Sequence, residues 1–222
     1  MLNKTKRFIL NLIYPNRCPV CNEIIGFCDS FCEKCTSKIS RYTDVFGIVG
    51  SEGFSAAFVY DENISPAVIL LKNGVCGNAA YALGTSLAKT LMKEGVADNI
   101  NVIIPVPLYK SDRRKRGYNQ SELIAKEISR ELCVPVVRNA ICKTKKTASQ
   151  KTLTKSEREV NLSGAFTAAD TRRIKGNRIL LIDDVCTTGS TLTEITSLLK
   201  KCGAAAVYCA SCCKTPSRPK EM

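Results

Sequence analysis

One stretch limits this chain more than any other: "RILLIDDVCTTGSTL", residues 178–192. A run of Ile and Leu fits a buried strand. It leads straight into Asp183 and Asp184, two adjacent charges whose mutual repulsion costs energy. A small-residue turn follows, Thr187-Thr188-Gly189-Ser190-Thr191, and then the helical pattern "STLTEITSLLKKCG". A polar turn that opens a helix leaves backbone N–H groups pointing outward, and a phosphate is stabilised there. Gly189 lets the backbone come close, and the hydroxyls of Thr187, Thr188, Ser190 and Thr191 add donors. The aspartates upstream cannot touch that phosphate without repulsion. They can accept hydrogen bonds from a ribose diol, or hold Mg²⁺ directly or through its waters. Phosphate cradle and diol-reading carboxylates together describe a pocket for a ribose 5-phosphate. A plain strand end and a Ser or Thr helix cap would account for an isolated "TTGST"; the whole pattern favours the pocket. Neither a Gly-x-x-x-x-Gly-Lys P-loop nor a Gly-x-Gly-x-x-Gly fingerprint competes with it.

The flanking pattern predicts an α/β chain. "TDVFGIVGSEGFSAAFVY" (43–60) reads as strand, turn, strand and marks the entry into the larger domain. "SPAVILLKNG" and "NAAYALGTSLAKTLMKEG" have helical spacing, each closed by glycine. "NVIIPVPL" is a buried strand followed by a loop. "SELIAKEISREL" is an amphipathic helix with Ser121 as cap, and "VPVVR" a second strand. Residues 142–166 are polar and basic without period, a mobile loop or long hairpin. "RILLID" and "AAAVYCASCC" supply the third and fourth strands. Alternating strands and helices imply a parallel sheet, with ligands at the carboxyl ends of its strands.

Charge and cysteine usage narrow the function classes. Residues 110–175 hold 17 Lys and Arg against 7 Asp and Glu, +10 of the chain's +13. Such a segment is expected to meet polyanions, either nucleic acid or phosphorylated small molecules. Thirteen cysteines, an odd number, in a chain read as unexported and cytoplasmic argue for metal binding and buried thiols over a disulfide framework. There is no histidine, so any metal site is built from thiolates and carboxylates. Cys18-x-x-Cys21 and Cys32-x-x-Cys35, ten residues apart, can clasp two sides of a tetrahedral structural Zn²⁺; Cys28 could take the place of Cys32. Cys209, Cys212 and Cys213 read as strand packing, and Cys186 as a spacer ahead of a redox role. No apolar run approaches the ~20 residues of a membrane span. The start, "MLNKTKRFILNLIYPNRC", reads as a short docking helix rather than a signal peptide. The expected division is 1–42 for the helix and zinc module and 43–222 for the larger domain.

"ILLIDDVCTTGST" resembles the PRPP-binding loop of type I phosphoribosyltransferases. "RRKRGYNQSELIAKEI" (113–128) and "KTASQKTLTKSEREVNLSGAF" (146–166), placed between the cysteine module and that loop, resemble the ComF (competence protein F) family over nearly the whole chain. The resemblance implies a type I phosphoribosyltransferase-like parallel sheet with an N-terminal four-cysteine zinc knuckle, PRPP and Mg²⁺ as ligands, and a role in DNA uptake during natural transformation. Within that fold Asp183 and Asp184 read the ribose while Thr187, Thr188, Gly189, Ser190 and Thr191 hold the phosphate. Arg113, Arg114 and Arg116, with Lys115, would grip pyrophosphate on a loop turned by Gly117, assisted by Asn119 and Gln120. The segment 143–158 would be a lid, with Gln150, Arg158 and Asn161 closing on the ligand. Where hypoxanthine-type enzymes carry a basic aspartate, this chain has Thr187, and no catalytic base is named. Nor is a complete amidophosphoribosyltransferase expected, for want of an N-terminal Cys and of room for a glutaminase domain. Helicase or DNA-processing partners and a homodimer follow from the family only. A second reading is a catalytically inactive single-stranded-DNA-binding protein using the basic loops, although few aromatics accompany those charges.

Overall fold

The computed structural model describes residues 15–73, 77–145 and 164–216. The expected N-terminal helix (1–14) lies outside them. At the near end, α1 (Glu33–Thr36) belongs to the cysteine module. The larger body contains β1 (Gly53–Val59), α2 (Ser65–Lys72), α3 (Gly77–Lys93), β2 (Val102–Pro105), α4 (Lys110–Arg116) and α5 (Gln120–Leu132). It continues through β3 (Ile141–Lys143), β4 (Phe166–Ala168), β5 (Arg178–Cys186), α6 (Ser190–Lys201) and β6 (Ala206–Lys214). Four strands form a parallel sheet in the order β1-β6-β5-β2. β3 and β4 form a separate antiparallel ribbon.

The apolar run of β5 is explained by cover on both faces, the usual state of a parallel strand. Leu180 and Ile182 pack into one core with α3 and α5, through Leu83, Leu87, Ile124 and Ile128. Ile179 and Leu181 point the other way, onto Leu192, Ile195 and Leu199 of α6. α3 and α5 approach closely at Gly84, where an added Cβ would stand 2.7 Å from Glu127 Cβ.

Four local expectations are corrected. No strand forms over 43–52; Phe46 packs against and Ile48 is buried in the α6-side core, while Val45 and Val49 are exposed, so in-and-out alternation arises without a ladder. "VPVVR" makes a single bridge, Val136 to Ile103, because Pro135 has no N–H to extend pairing along a four-residue β2. The basic stretch after "IIPVPL" is the helix α4, ended by Gly117 at φ 82°. β5 also runs beyond "RILLID" through both aspartates, because β6 continues the ladder beside it: Asp183 pairs with Ser211 and Val185 with Cys213. The 142–166 stretch has its base in the β3/β4 ribbon, and residues 146–163 lie outside the described ones.

Candidate functional site

The acidic pair sits on β5 just past the end of β2, whose last residue, Pro105, pairs with Ile182. Asp183 Oδ1 accepts a hydrogen bond from Ser121 Oγ (3.2 Å) at the start of α5 and another from the Asp184 backbone N–H (2.9 Å). Asp184 is buried, with its Oδ2 2.9 Å from the ammonium of Lys72, the last residue of α2. Burial, together with the Asp184 carboxylate, pushes the Asp183 carboxyl up to about 8. Burial alone would lower the Lys72 pKa, but Asp184, with Asp183 behind it, reverses the sign and holds it above its ordinary value. Asp183 therefore gives up its proton late, beside the contact between Lys72 and Asp184.

The turn below is built from both sides. Gly189 has φ 81° and caps α6; a side chain there would bring Cβ to 2.6 Å from Ile48 Cδ1 and 3.2 Å from Phe46. The hydroxyls of Thr188 and Ser190 are 2.9 Å apart. Lys214, 2% exposed, donates from Nζ to the carbonyls of Thr187 and Thr215 (2.8 Å each) and lies 4.2 Å over the Phe46 ring. Sequence reasoning missed that staple, since Lys214 merely closes an apolar cysteine strand. Cys186 is buried, and burial pushes its thiol up to about 12, which fits packing and not redox chemistry.

A cavity of about 590 Å³ opens over these elements. Asp183, Asp184, Thr187, Thr188, Gly189, Ser190 and Thr191 all line it, together with Arg116 and Gln120, which hydrogen-bond to each other. The rest of the expected pyrophosphate group does not gather there. Arg113 pairs with Glu122 (3.3 Å), Arg114 is exposed on α4, and Gly117 ends that helix. Asn119 is buried as the cap of α5 in place of Ser121: its Oδ1 accepts from the Ser121 N–H (3.0 Å) and its Nδ2 donates to the Val106 carbonyl (2.9 Å). The physical reason is that α4 is a helix and not a loop, so its four consecutive cations fan out around an axis. Gln150, Arg158 and Asn161 lie outside the described residues. Tyr60 and Lys72 line the cavity unforeseen, because each arrives from a distant element; Lys143, the first residue of the expected lid segment, lines it too. Burial draws the Lys143 pKa down against the pull of Asp112, Asp183 and Glu194.

The sulfur atoms of Cys18, Cys21, Cys32 and Cys35 lie within 4.8 Å of one another. Cys18–Cys21 is a turn, with the Asn22 N–H bonded to the Cys18 carbonyl (2.9 Å), and Cys32–Cys35 enters α1. Cys28 stays outside the cluster, exposed, with its carbonyl accepting from Tyr81 Oη (3.1 Å). Burial and neighbouring sulfurs push the Cys35 and Cys32 thiols up; at Cys18 burial acts the same way, but backbone N–H groups outweigh it and bring it to about 7. Four crowded sulfurs cannot all ionise without a cation among them, and an all-thiolate tetrahedron fits structural zinc. Every cysteine among the described residues is a free thiol.

The phosphoribosyl transferase domain family matches residues 118–222, and the double zinc ribbon domain family matches residues 9–46. That second stretch holds five cysteines and no histidine, enough sulfur for one tetrahedral site. Competence protein F of Haemophilus influenzae is 44% identical over 102 residues, 46% of this chain and 44% of that protein, so the likeness spans less than half of it. DNA utilization protein YhgH of Escherichia coli K12 is 33% identical over 159 residues, 70% of this chain and 69% of that protein. Among solved structures, glutamine phosphoribosylpyrophosphate amidotransferase from B. subtilis, complexed with ADP and GMP, is 20% identical, covers 60% of this chain and 26% of that one, and has a TM-score of 0.41. At that distance it carries no argument. With a phosphoribosyl transferase domain behind a zinc-ribbon module, and a relative one-third identical over more than two-thirds of its length, the chain belongs to the competence protein F and YhgH family.

Proposed function

We propose that this protein binds 5-phosphoribosyl 1-diphosphate with Mg²⁺ and acts in the uptake or use of DNA. One observation supports the ligand most: the acidic pair and the Thr187–Thr191 turn line one cavity with Arg116 and Gln120. In this reading the turn's N–H groups and hydroxyls hold the 5-phosphate, while Asp183 and Asp184 accept from the ribose hydroxyls. Arg116 and Lys143 face the diphosphate. The oxygen donors of the two carboxylates fit a hard ion such as Mg²⁺, which would supply positive charge beside the departing diphosphate. Transfer of the phosphoribosyl group needs that leaving charge stabilised more than it needs a covalent nucleophile. The DNA role is supported by the names of the relatives, and a cytoplasmic setting suits the reduced thiols.

The test is calorimetric titration of the zinc-loaded protein with PRPP and Mg²⁺. Micromolar binding is expected, abolished in Asp183→Ala and Asp184→Ala while circular dichroism shows both variants still folded. Unchanged affinity in those variants rejects the reading.

A second reading, binding of single-stranded DNA, draws on α4, where Lys110, Arg113, Arg114 and Lys115 are exposed. Charge of this kind gives sequence-independent affinity that falls steeply with salt. Few aromatics accompany those charges to stack on bases, and Tyr118 is half-buried with its hydroxyl donating to the Leu71 carbonyl (2.6 Å). DNA binding that ignores salt, or its absence, removes this reading.

A further inference from the structure

Lys72 reaches the acidic pair from a part of the chain that the phosphate-binding motif does not include. Helix α2 is fixed by Ala67, Val68 and Leu71 in the core. Its end is pinned on either side of Lys72, where Tyr118 Oη donates to the Leu71 carbonyl (2.6 Å) and the Asn73 N–H closes on the Ile69 carbonyl (3.0 Å). The ammonium of Lys72 is thereby delivered 2.9 Å from Asp184 Oδ2. The two partners differ in freedom. The Asp184 side chain is 8% exposed and held in a ladder, whereas that of Lys72 is 37% exposed and forms part of the cavity wall. What sets this pair apart is its place: the open side of Lys72 faces the cavity, and Asp183 stands next to its partner.

We infer that Lys72 is the resident cation of the pocket: in the ligand-free site its ammonium holds the place on Asp184 that a divalent ion takes when ribose phosphate enters, so lysine and metal compete for one carboxylate oxygen. The inference rests on the ribose-phosphate reading for the identity of the incoming ligand. A divalent ion bound to Asp184 Oδ2 would lie within a few ångströms of the ammonium, and like charges at that range repel strongly in a half-buried site. Lys72 must then swing toward the cavity, where the phosphate oxygens of the ligand can receive it. Metal without ligand offers the lysine no new partner. The empty site therefore resists free divalent ions and admits them together with the ribose phosphate.

The experiment is Mn²⁺ binding, read by electron paramagnetic resonance on the full zinc-loaded chain with no ribose phosphate present. Mn²⁺ reports the oxygen site because thiolates bind it poorly. Lys72→Met, which keeps the apolar stem, is expected to bind Mn²⁺ about tenfold or more tightly than wild type, on the order of one removed like charge. Lys72→Arg is expected to match wild type, and the gain is expected to vanish in Lys72→Met/Asp184→Asn. Lys72→Gln serves if the methionine variant does not fold. Equal Mn²⁺ affinity in wild type and the neutral variant overturns the inference, as does a gain that survives loss of the Asp184 charge. A parallel PRPP titration separates the two claims. Tighter Mn²⁺ without PRPP binding upholds the lysine's role and rejects the ribose-phosphate reading. PRPP binding with unchanged Mn²⁺ does the reverse.

Discussion

Gly189 shows how much a single residue can be asked to do here: it holds φ 81° while Ile48 and Phe46 press against the place a side chain would fill. Gly189→Ala is expected to cost about 1–3 kcal/mol through backbone strain and crowding. Under the proposed function it should also weaken phosphate binding at the turn. Thermal unfolding and titration with inorganic phosphate check both, and in an Ile48→Ala background, which carries its own cavity cost, Gly189→Ala should lose less than in wild type. Asp183 gives a second prediction at this scale. Its folded pKa is raised to about 8 from an ordinary 3.8, so the folded state keeps a proton that the unfolded state loses between those values. Its contribution to stability therefore falls as pH rises from about 4 to about 8 and is level above. Asp183→Asn should flatten that part of the profile, measured as denaturant midpoint against pH; an unchanged slope counts against the shift. The acidic pair and the turn, which the structure sets along one cavity, were legible in the sequence because adjacent residues carry them. Lys72 and Lys214 were not, since a lysine closing an apolar helix or strand looks like any solvated end.

At the level of elements, the junction of α4 and α5 orders one side of the cavity. Asn119 satisfies the first turn of α5 and holds the Val106 carbonyl, so it joins β2 to the helix that carries Gln120. Asn119→Ala should cost about 1–2 kcal/mol. Asn119→Asp should restore the cap but not the bond to Val106, and denaturant unfolding of the pair separates the two contributions. The helical and strand patterns of α2, α3, α5, β5 and β6 were readable because burial of a stripe or of both faces leaves a period. α4 was not: "KSDRRKR" has no apolar stripe, and only docking beside β2 and a glycine stop make it a helix. "VPVVR" misled for the opposite reason, an apolar run whose proline forbids the ladder its composition suggests.

In the whole molecule, the cysteine module is not a separate bead. Cys18, Cys32, Cys35 and Ile39 share a core with Ala57 and Phe58 of β1, and Phe31 meets Phe58 edge-on at 5.7 Å. Residues 40–42 run along β1, with Val59 N–H bonded to the Ser40 carbonyl (3.0 Å) and Tyr42 N–H to that of Ala57 (3.3 Å), and cover that edge of the sheet. Removing zinc with a chelator should therefore lower the unfolding midpoint of the entire chain in one transition. A module that melted alone, leaving the main transition in place, would contradict this coupling.

By itself the sequence determined the chemistry available: four cysteines spaced for a structural metal in a chain without histidine, two aspartates ahead of a glycine turn rich in hydroxyls, and the α/β alternation of the sheet that carries those aspartates. These follow from local valence and periodicity, which adjacent residues carry. Tertiary structure alone decided which cations meet that turn. Arg116 is turned inward while Arg113 is taken by Glu122, and Lys72 and Lys143 are delivered from distant elements. The reason is geometric: the direction of a long charged side chain is fixed by the packing of its element, and a sequence records the charge without its aim.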